Sequence, residues 1–335
     1  MSRALGLVLA AALSVACSKK EDVVIAAADQ VHVSDADIDR DPVALLPGSA
    51  IGIVHVDAPA LFRSEFGQHL RQIAQARVPL PPSAGFEPTR DLAALYVGLY
   101  SMQGVDVAGV AIGTFDPQAI ERAADGTTLT PLGAPLVKTT YARRTLYVSR
   151  NVGFVVLTPH TVLFGDETGI RRALDRLSDG RAQHETPAWV DQLLATPNAA
   201  TAGAFDLTSG APVEAATKNF PFLKGLKTAK VVGNFEPPGM NFAGTLTYPD
   251  PQTAQASCQS IQQTASTVRN YSFFLQLAGI GNPIQKLETV ASGNDAQFVL
   301  GVDSRTVEWL LNQLGNQLGV QAAPVNQPIM IQQGH

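Results

Sequence analysis

Cysteine is scarce in this sequence. Only Cys17 and Cys258 occur among 335 residues, too few for the multi-bridge framework of disulfide-rich secreted domains. Positive charge is also short, with 24 Lys and Arg against 29 Asp and Glu and a net charge of −5. Adjacent basic pairs are limited to Lys19-Lys20, Arg143-Arg144 and Arg171-Arg172. Two neighbouring cations neutralise few phosphates, so nucleic acid is not expected as a partner. No Gly-x-Ser-x-Gly elbow is present, because "GLYSMQG" has the wrong spacing. "AGIGNP" begins like a dinucleotide fingerprint, but Pro283 follows where the third glycine would come. The histidines (His32, His55, His69, His160, His184 and His335) are scattered without the i,i+4 spacing of a zinc helix. No catalytic, cofactor-binding or metal-binding residue is therefore expected, and no enzyme activity.

What is present begins at the N-terminus. Arg3 gives a small basic region, and "ALGLVLAAALSVA" (4–16) is an apolar run of 13 residues. A bilayer-spanning helix needs about 20, so this length suits the apolar region of a signal peptide, residues 1–16. The run ends in "LSVAC", with Cys17 directly after the small Ala16. This stretch resembles the lipobox of bacterial lipoproteins. The resemblance implies cleavage before Cys17, a diacylglycerol on its thiol and an acylated new N-terminus. Ser14 stands where that pattern more often has Leu, with Leu13 one place back. Two or three acyl chains anchor a protein stably, at about 0.8 kcal/mol per buried methylene. Ser18 follows Cys17 where inner-membrane retention often has Asp, so the resemblance implies an outer-membrane address. With Cys17 lipidated, Cys258 has no disulfide partner and reads as a small buried apolar residue.

Residues 17–44 read as the lipidated cysteine and a tether. "SDADIDRDP" carries Asp35, Asp37, Asp39 and Asp41. An EF-hand loop starting there would have Arg40 instead of Gly at position six and Leu46 instead of Glu at position twelve, so a solvated acidic loop is expected. "AIGIVHV" then reads as a strand. Leu61, Phe62, Phe66, Leu70 and Ile73 recur at helical spacing.

"LAALYVGLYS" and "VDVAGVAIGTF" are two further strands, joined by "MQG". Asp116 caps the next helix and Pro117 opens it: the carboxylate accepts from an orphan amide, and proline lacks the N–H that would be unpaired there. The order continues with a hairpin turning at Ala142-Arg143 and a second hairpin, "VGFVVLTPHTVLFGD". A helix capped by Asp166 follows, with Ile170, Ala173, Leu174 and Leu177 on its apolar side and a stop at Gly180.

A bridging helix and linker (181–199) contain "TPAWVDQLLAT", with Thr186 expected as its cap. After it the order repeats. "ATAGAFDLT" parallels "GIVHVDAP", the second Asp-Pro pair (Asp250-Pro251) parallels the first, and Asp303 before "SRTVEWLLNQL" parallels Asp166. The expected fold class is α+β. It comprises two divergent copies of a strand–helix–hairpin–helix–hairpin–helix unit, at 45–180 and 200–316, with mainly antiparallel sheets packed by helices and a mobile tail at 317–335. Phe62, Phe66, Phe154, Phe164, Trp189 and Trp309 are expected in the core.

"LLPGSAIGIVHVD", "VGFVVLTPHTVLFGDETGIRRALDRL" and "TPAWVDQLL" together resemble a family of uncharacterised bacterial secreted or lipid-anchored proteins. The resemblance spans most of residues 45–315 and brings no established activity. The expectation is a lipid-anchored envelope protein, attached to the membrane at Cys17, with a non-enzymatic binding or scaffolding role and a possible envelope-protein partner. A periplasmic carrier or sensor of an apolar ligand is the alternative, and an unrecognised hydrolase the lesser one. His55 and Asp57 share one strand face, where Asp57 could orient His55 as a base; a polar strand end is the plainer reading.

Overall fold

The computed structural model describes residues 33–101, 106–150, 152–208, 217–218, 220–237, 239–271 and 282–317. Cys17, the residues expected as signal peptide, and most of those expected as tether and tail lie outside them. The elements in chain order are α1 (Asp35–Arg40), β1 (Gly52–Asp57), α2 (Ala58–Arg63), α3 (Gly67–Arg77), α4 (Pro88–Asp91), β2 (Leu92–Ser101), β3 (Asp106–Gly113) and α5 (Pro117–Ala123). They continue with β4 (Val137–Tyr141), β5 (Arg144–Ser149), β6 (Val152–Val156), β7 (Thr161–Gly165), α6 (Glu167–Ser178), α7 (Ala188–Leu194) and β8 (Thr201–Asp206). The rest are β9 (Thr228–Asn234), β10 (Gly239–Thr247), α8 (Pro251–Asn270), β11 (Ile284–Ser292), β12 (Asp295–Asp303) and α9 (Ser304–Gln317).

The twelve strands of the described residues join one continuous antiparallel sheet in the order β11-β12-β10-β9-β8-β1-β2-β3-β7-β6-β5-β4. The α+β class is as read from the sequence. β1 and β8 pair at its centre, with Val54 opposite Gly203. Outward from β1, Val54, Val97, Gly109 and Phe164 lie in one row across β1, β2, β3 and β7. Outward from β8, Gly203, Val231, Gly244 and Phe298 lie in one row across β8, β9, β10 and β12. The chain turns tightly between β4 and β5, where Ala142 and Arg143 both have positive φ (46° and 63°), as a two-residue hairpin with the sheet's twist requires.

Strand alternation sorts side chains onto two faces. On the front, Ala111, Phe154 and Val162 pack against Ile120 and Ala123 of α5. Ala229, Leu246 and Ala296 pack there against Ala254 and Cys258 of α8. Cys258 is 7% exposed, and burial raises its thiol pKa. Near the strand ends, Phe66 and Phe235 meet Val307 of α9. On the back, Ile53, Val110, Val155, Leu163 and Ala204 pack against Ile170, Ala173, Leu174 and Leu177 of α6, Val190 of α7 and Ile38 of α1.

Four expectations change. The segment read as tether and acidic loop folds into α1, capped by the Ser34 side chain, and a 3-10 turn at Val43–Leu45. Ile38 is fully buried, and Asp39 accepts hydrogen bonds from Thr158 (2.5 Å) and Thr161 (2.6 Å). The four acidic residues masked the single apolar anchor. The helical pattern after β1 is two helices: Ser64 turns extended (ψ 165°) and ends α2. Gly67 then passes so close that a Cβ there would stand 2.0 Å from the Phe62 carbonyl oxygen. Thr186 does not cap α7; Pro187 occupies that position, and the Thr186 hydroxyl turns to Asp191 instead. Trp309 is 39% exposed on α9 rather than buried.

The helix caps read from sequence take their places. Asp116 accepts from the Ala119 amide (2.9 Å), Asp166 from Gly169 (2.8 Å) and Asp250 from Thr253 (2.8 Å). Asp303 accepts from Arg305 (3.2 Å). Asp166 and Asp303 nevertheless leave their strands differently. β7 ends at Gly165, next to Phe164, whereas β12 runs on from Phe298 to Asp303. An odd number of extra residues reverses the exit side, so α6 lies on the back of the sheet and α9 on the front.

Candidate functional site

Among the described residues, the back of the sheet carries two features that could engage another molecule. The first is a cleft of about 220 Å³ between the segment 43–51, the central pair β1/β8 and the start of α7. Ile53, Ala204, Val43, Leu46 and Val190 form its apolar floor, and Ser49, Glu185, Trp189 and Asp206 its rim. Arg176 knits its wall together. This buried guanidinium donates to the backbone oxygens of Leu46, Arg181 (3.2 Å) and Gln183 (3.1 Å) and pairs with Glu185 (3.0 Å).

At the cleft rim, Thr186 sits beside His184. His184 Nδ1 is 2.8 Å from Asp41, and its Nε2 is 2.6 Å from both Asp191 and the Thr186 hydroxyl. A hydroxyl, an imidazole and a carboxylate in line are the parts of an activated nucleophile. Here, though, Thr186 donates to Asp191 at 2.5 Å. Asp191, then Asp41, raise the His184 pKa against a smaller loss from burial. With the Thr186 proton directed to Asp191 and a carboxylate on each ring nitrogen, the cluster ties the end of α1 to α7. The carboxylates sit on opposite ring nitrogens instead of converging on a point. Among the described residues no group of three or more His, Cys, Asp or Glu is placed to hold a metal ion. Sequence reading missed this clamp because Asp41 lies 143 positions from His184, although Thr186 and Asp191 are close to it in the chain.

His55 points to the back of the sheet, its ring 4.8 Å from that of Tyr96. Burial lowers its pKa, against a smaller opposite effect of Asp57. Asp57 itself caps α2 by accepting from Ala60 (2.7 Å). The pair is a strand end and a helix start, not a base and its orienter.

The second feature is a stretch of sheet on which no helix lies among the described residues. On the back, α6 covers β3, β7 and β6, and α7 covers β1, β8 and β9. Beyond α7, the back-facing residues of β10, β12 and β11 line an open, shallow groove. Its first row is Lys230, Thr245, Gln297 and Val290; its second is Val232, Ala243, Val299 and Glu288. Leu193 and Thr196 at the end of α7 form one wall. Lys230 Nζ lies 4.9 Å from the centroid of the Trp189 ring at that wall. Val290 is 61% exposed. The sequence concealed this opening, since a strand covered on one face and one covered on both differ only in a few alternate positions.

No protein-family model matches the chain, and no curated protein matches it. Among solved structures, crystal form I of TP0453 aligns with a TM-score of 0.52 at 15% identity, covering 82% of this chain and 97% of that one. Crystal form III of the same protein aligns at 0.48 with 12% identity. At such identity the likeness is one of fold.

Proposed function

We propose that this chain is a lipid-anchored protein of the cell envelope, built from two divergent copies of one α+β unit, that binds or scaffolds another envelope protein and is not an enzyme. The anchor rests on the apolar run 4–16 ending at Cys17, and the outer-membrane address on Ser18. Duplication is supported by the strand order, which reads β1-β2-β3-β7-β6 outward on one side and β8-β9-β10-β12-β11 on the other. It is supported too by the glycine facing a phenylalanine at the same row position on each side, Gly109 with Phe164 and Gly244 with Phe298.

The observation that carries the binding role is the back face of β10, β12 and β11, which no helix covers among the described residues. Val232, Ala243, Val299 and the exposed Val290 give this face apolar surface open to water, and exposed apolar surface of this kind marks contact sites. The test is the mass and membrane fractionation of the protein from its own host, beside a Cys17→Ser variant. Acyl mass on an N-terminal Cys17, with membrane association lost in the variant, supports the anchor. An unmodified soluble wild type sinks it.

A further inference from the structure

We infer that the cleft between the segment 43–51 and α7 is shut by a proton-operated latch, in which His184 joins the two walls while both of its ring nitrogens carry a proton. Val43, Leu46 and Ser49 of one wall follow shortly after Asp41 in the chain, and Thr186, Trp189 and Val190 form the other around the start of α7. Asp41 Oδ1 accepts from the Ala44 amide (3.1 Å) at the head of the first wall. Its Oδ2 meets His184 Nδ1 at 2.8 Å. Among the described residues, this is the ring contact that crosses from one wall to the other. Thr186 and Asp191 lie on the ring's own side.

An ionised carboxylate only accepts, so a nitrogen facing one holds its contact only as N–H. A neutral ring has one N–H for two carboxylates and must release one of them. Thr186 decides which. Its hydroxyl donates to Asp191 (2.5 Å), so a ring with its proton on Nε2 leaves that carboxylate with both donors. A ring with its proton on Nδ1 keeps Asp41, but Thr186 must then turn from Asp191 to the bare Nε2, trading a charged acceptor for a neutral one. Hydrogen bonds to ionised groups are roughly twice as strong as neutral ones, so loss of the proton releases Asp41 and with it the wall.

A second tie makes the release a swing instead of a separation. Arg176 donates to the Leu46 carbonyl oxygen and, on the side leading into α7, to those of Arg181 and Gln183, and it pairs with Glu185 (3.0 Å). A guanidinium stays charged throughout the range in which histidine titrates, so this end holds while the Asp41 end lets go. The neighbouring charged groups are engaged or titrate elsewhere. Asp206 on the rim accepts from the Thr208 amide (2.9 Å) and hydroxyl (2.6 Å). Lys230 lies over the Trp189 ring. Burial, and then Asp41, hold the Tyr96 phenol above its ordinary value. For His184 itself, the hydrogen bond to Asp191 raises the pKa, with burial opposing and Asp41 adding to the rise. The latch is therefore shut in weak acid and opens as pH climbs through that raised value.

The latch is independent of the lipid anchor and of the open groove. The experiment is amide hydrogen exchange, read by mass spectrometry, on the full chain from weakly acid to weakly alkaline pH, beside Asp41→Asn and His184→Gln. Asparagine at 41 keeps an acceptor for the Ala44 amide, and its amide group offers either a donor or an acceptor to Nδ1, so its contact does not depend on the proton. Comparing proteins at one pH cancels the intrinsic pH dependence of exchange. In peptides covering 42–51 and 187–195, the ratio of wild-type to Asp41→Asn exchange should rise about two- to fivefold across the range, the worth of one partly exposed ion pair. The same ratio for His184→Gln against Asp41→Asn should stay flat, and β10 and β12 should exchange alike in all three proteins.

A wild-type ratio that stays flat across pH overturns the latch. So does a rise shared equally by β10 and β12, which marks a change in global stability in place of a local opening. A ratio that still rises in His184→Gln assigns the titration to another group and overturns it as well.

Discussion

Gly109 faces Phe164 across the β3–β7 ladder so closely that a Cβ at residue 109 would stand 2.3 Å from the ring. Gly244 faces Phe298 across β10–β12 in the same way, with a Cβ 2.7 Å from the ring and 2.4 Å from the Lys230 carbonyl oxygen. The rings lie over the glycines because nothing else projects there. Gly109→Ala and Gly244→Ala should therefore each destabilise the fold by about 1–3 kcal/mol, the cost of overpacking. Urea unfolding gives the comparison. If both variants match wild type, the rings have room to move and the close fit is not a constraint.

The four aspartate caps should differ in weight. Asp116 and Asp250 each satisfy one amide at the start of a helix, and their loss as Ala costs about 1 kcal/mol. Asp166 does more. Besides Gly169 it accepts from the Val107 amide at 2.6 Å and so ties α6 to the start of β3. Asp166→Ala should be the most destabilising of the series. Asp303, with its longer 3.2 Å contact to Arg305, should be the least. A series in which Asp166→Ala is no worse than Asp116→Ala removes the second bond from the account.

His184 should make stability fall as pH rises. Its pKa in the folded protein lies above 6.5, chiefly through Asp191 and then Asp41. Below the unfolded value of about 6.5 the imidazole is charged in both states and the full clamp is present. As pH climbs through the raised folded pKa, the proton leaves and the stabilisation goes with it. Urea midpoints measured from weakly acid to weakly alkaline pH should decline for wild type, and the decline should shrink in His184→Gln. An equal slope in both proteins would assign the pH dependence elsewhere.

Much of the architecture is readable without coordinates, for identifiable reasons. The hairpin at Ala142-Arg143, the strands around Gly109 and the Asp-Pro corners declare themselves through turn chemistry, alternation and capping, all local in sequence. The opposite exits of α6 and α9 do not, because "GDETGIRRALDRL" and "VDSRTVEWLLNQL" look alike and the difference lies in how far β12 extends before its helix. The His184 clamp is only half legible: Asp191 is seven positions away, but Asp41 reaches the ring only once the end of α1 folds against the start of α7. The open groove follows from the first of these, since among the described residues it is left uncovered by α9 taking the front.

The segment after the expected tether gives the sharpest test of long-range reading. Ile38 is the one buried residue of α1, and it packs in the same cluster as Leu163, Ile170 and Leu174. Asp39 beside it takes hydrogen bonds from Thr158 and Thr161, which shape the turn between β6 and β7. If this segment were a tether, Ile38→Ala would be nearly neutral. As part of the core it should cost about 2–5 kcal/mol, the loss of a buried aliphatic side chain plus the void it leaves. Asp39→Ala should add a separate cost by stranding two threonine hydroxyls, about 1–3 kcal/mol for buried groups left without a partner. The two losses should fall short of additivity, because both act by loosening α1 from one hairpin. Chemical unfolding of the two single variants and the double variant decides it. Near-wild-type stability in Ile38→Ala returns residues 35–46 to the status of a tether, whereas a large, coupled loss places them inside the folded body.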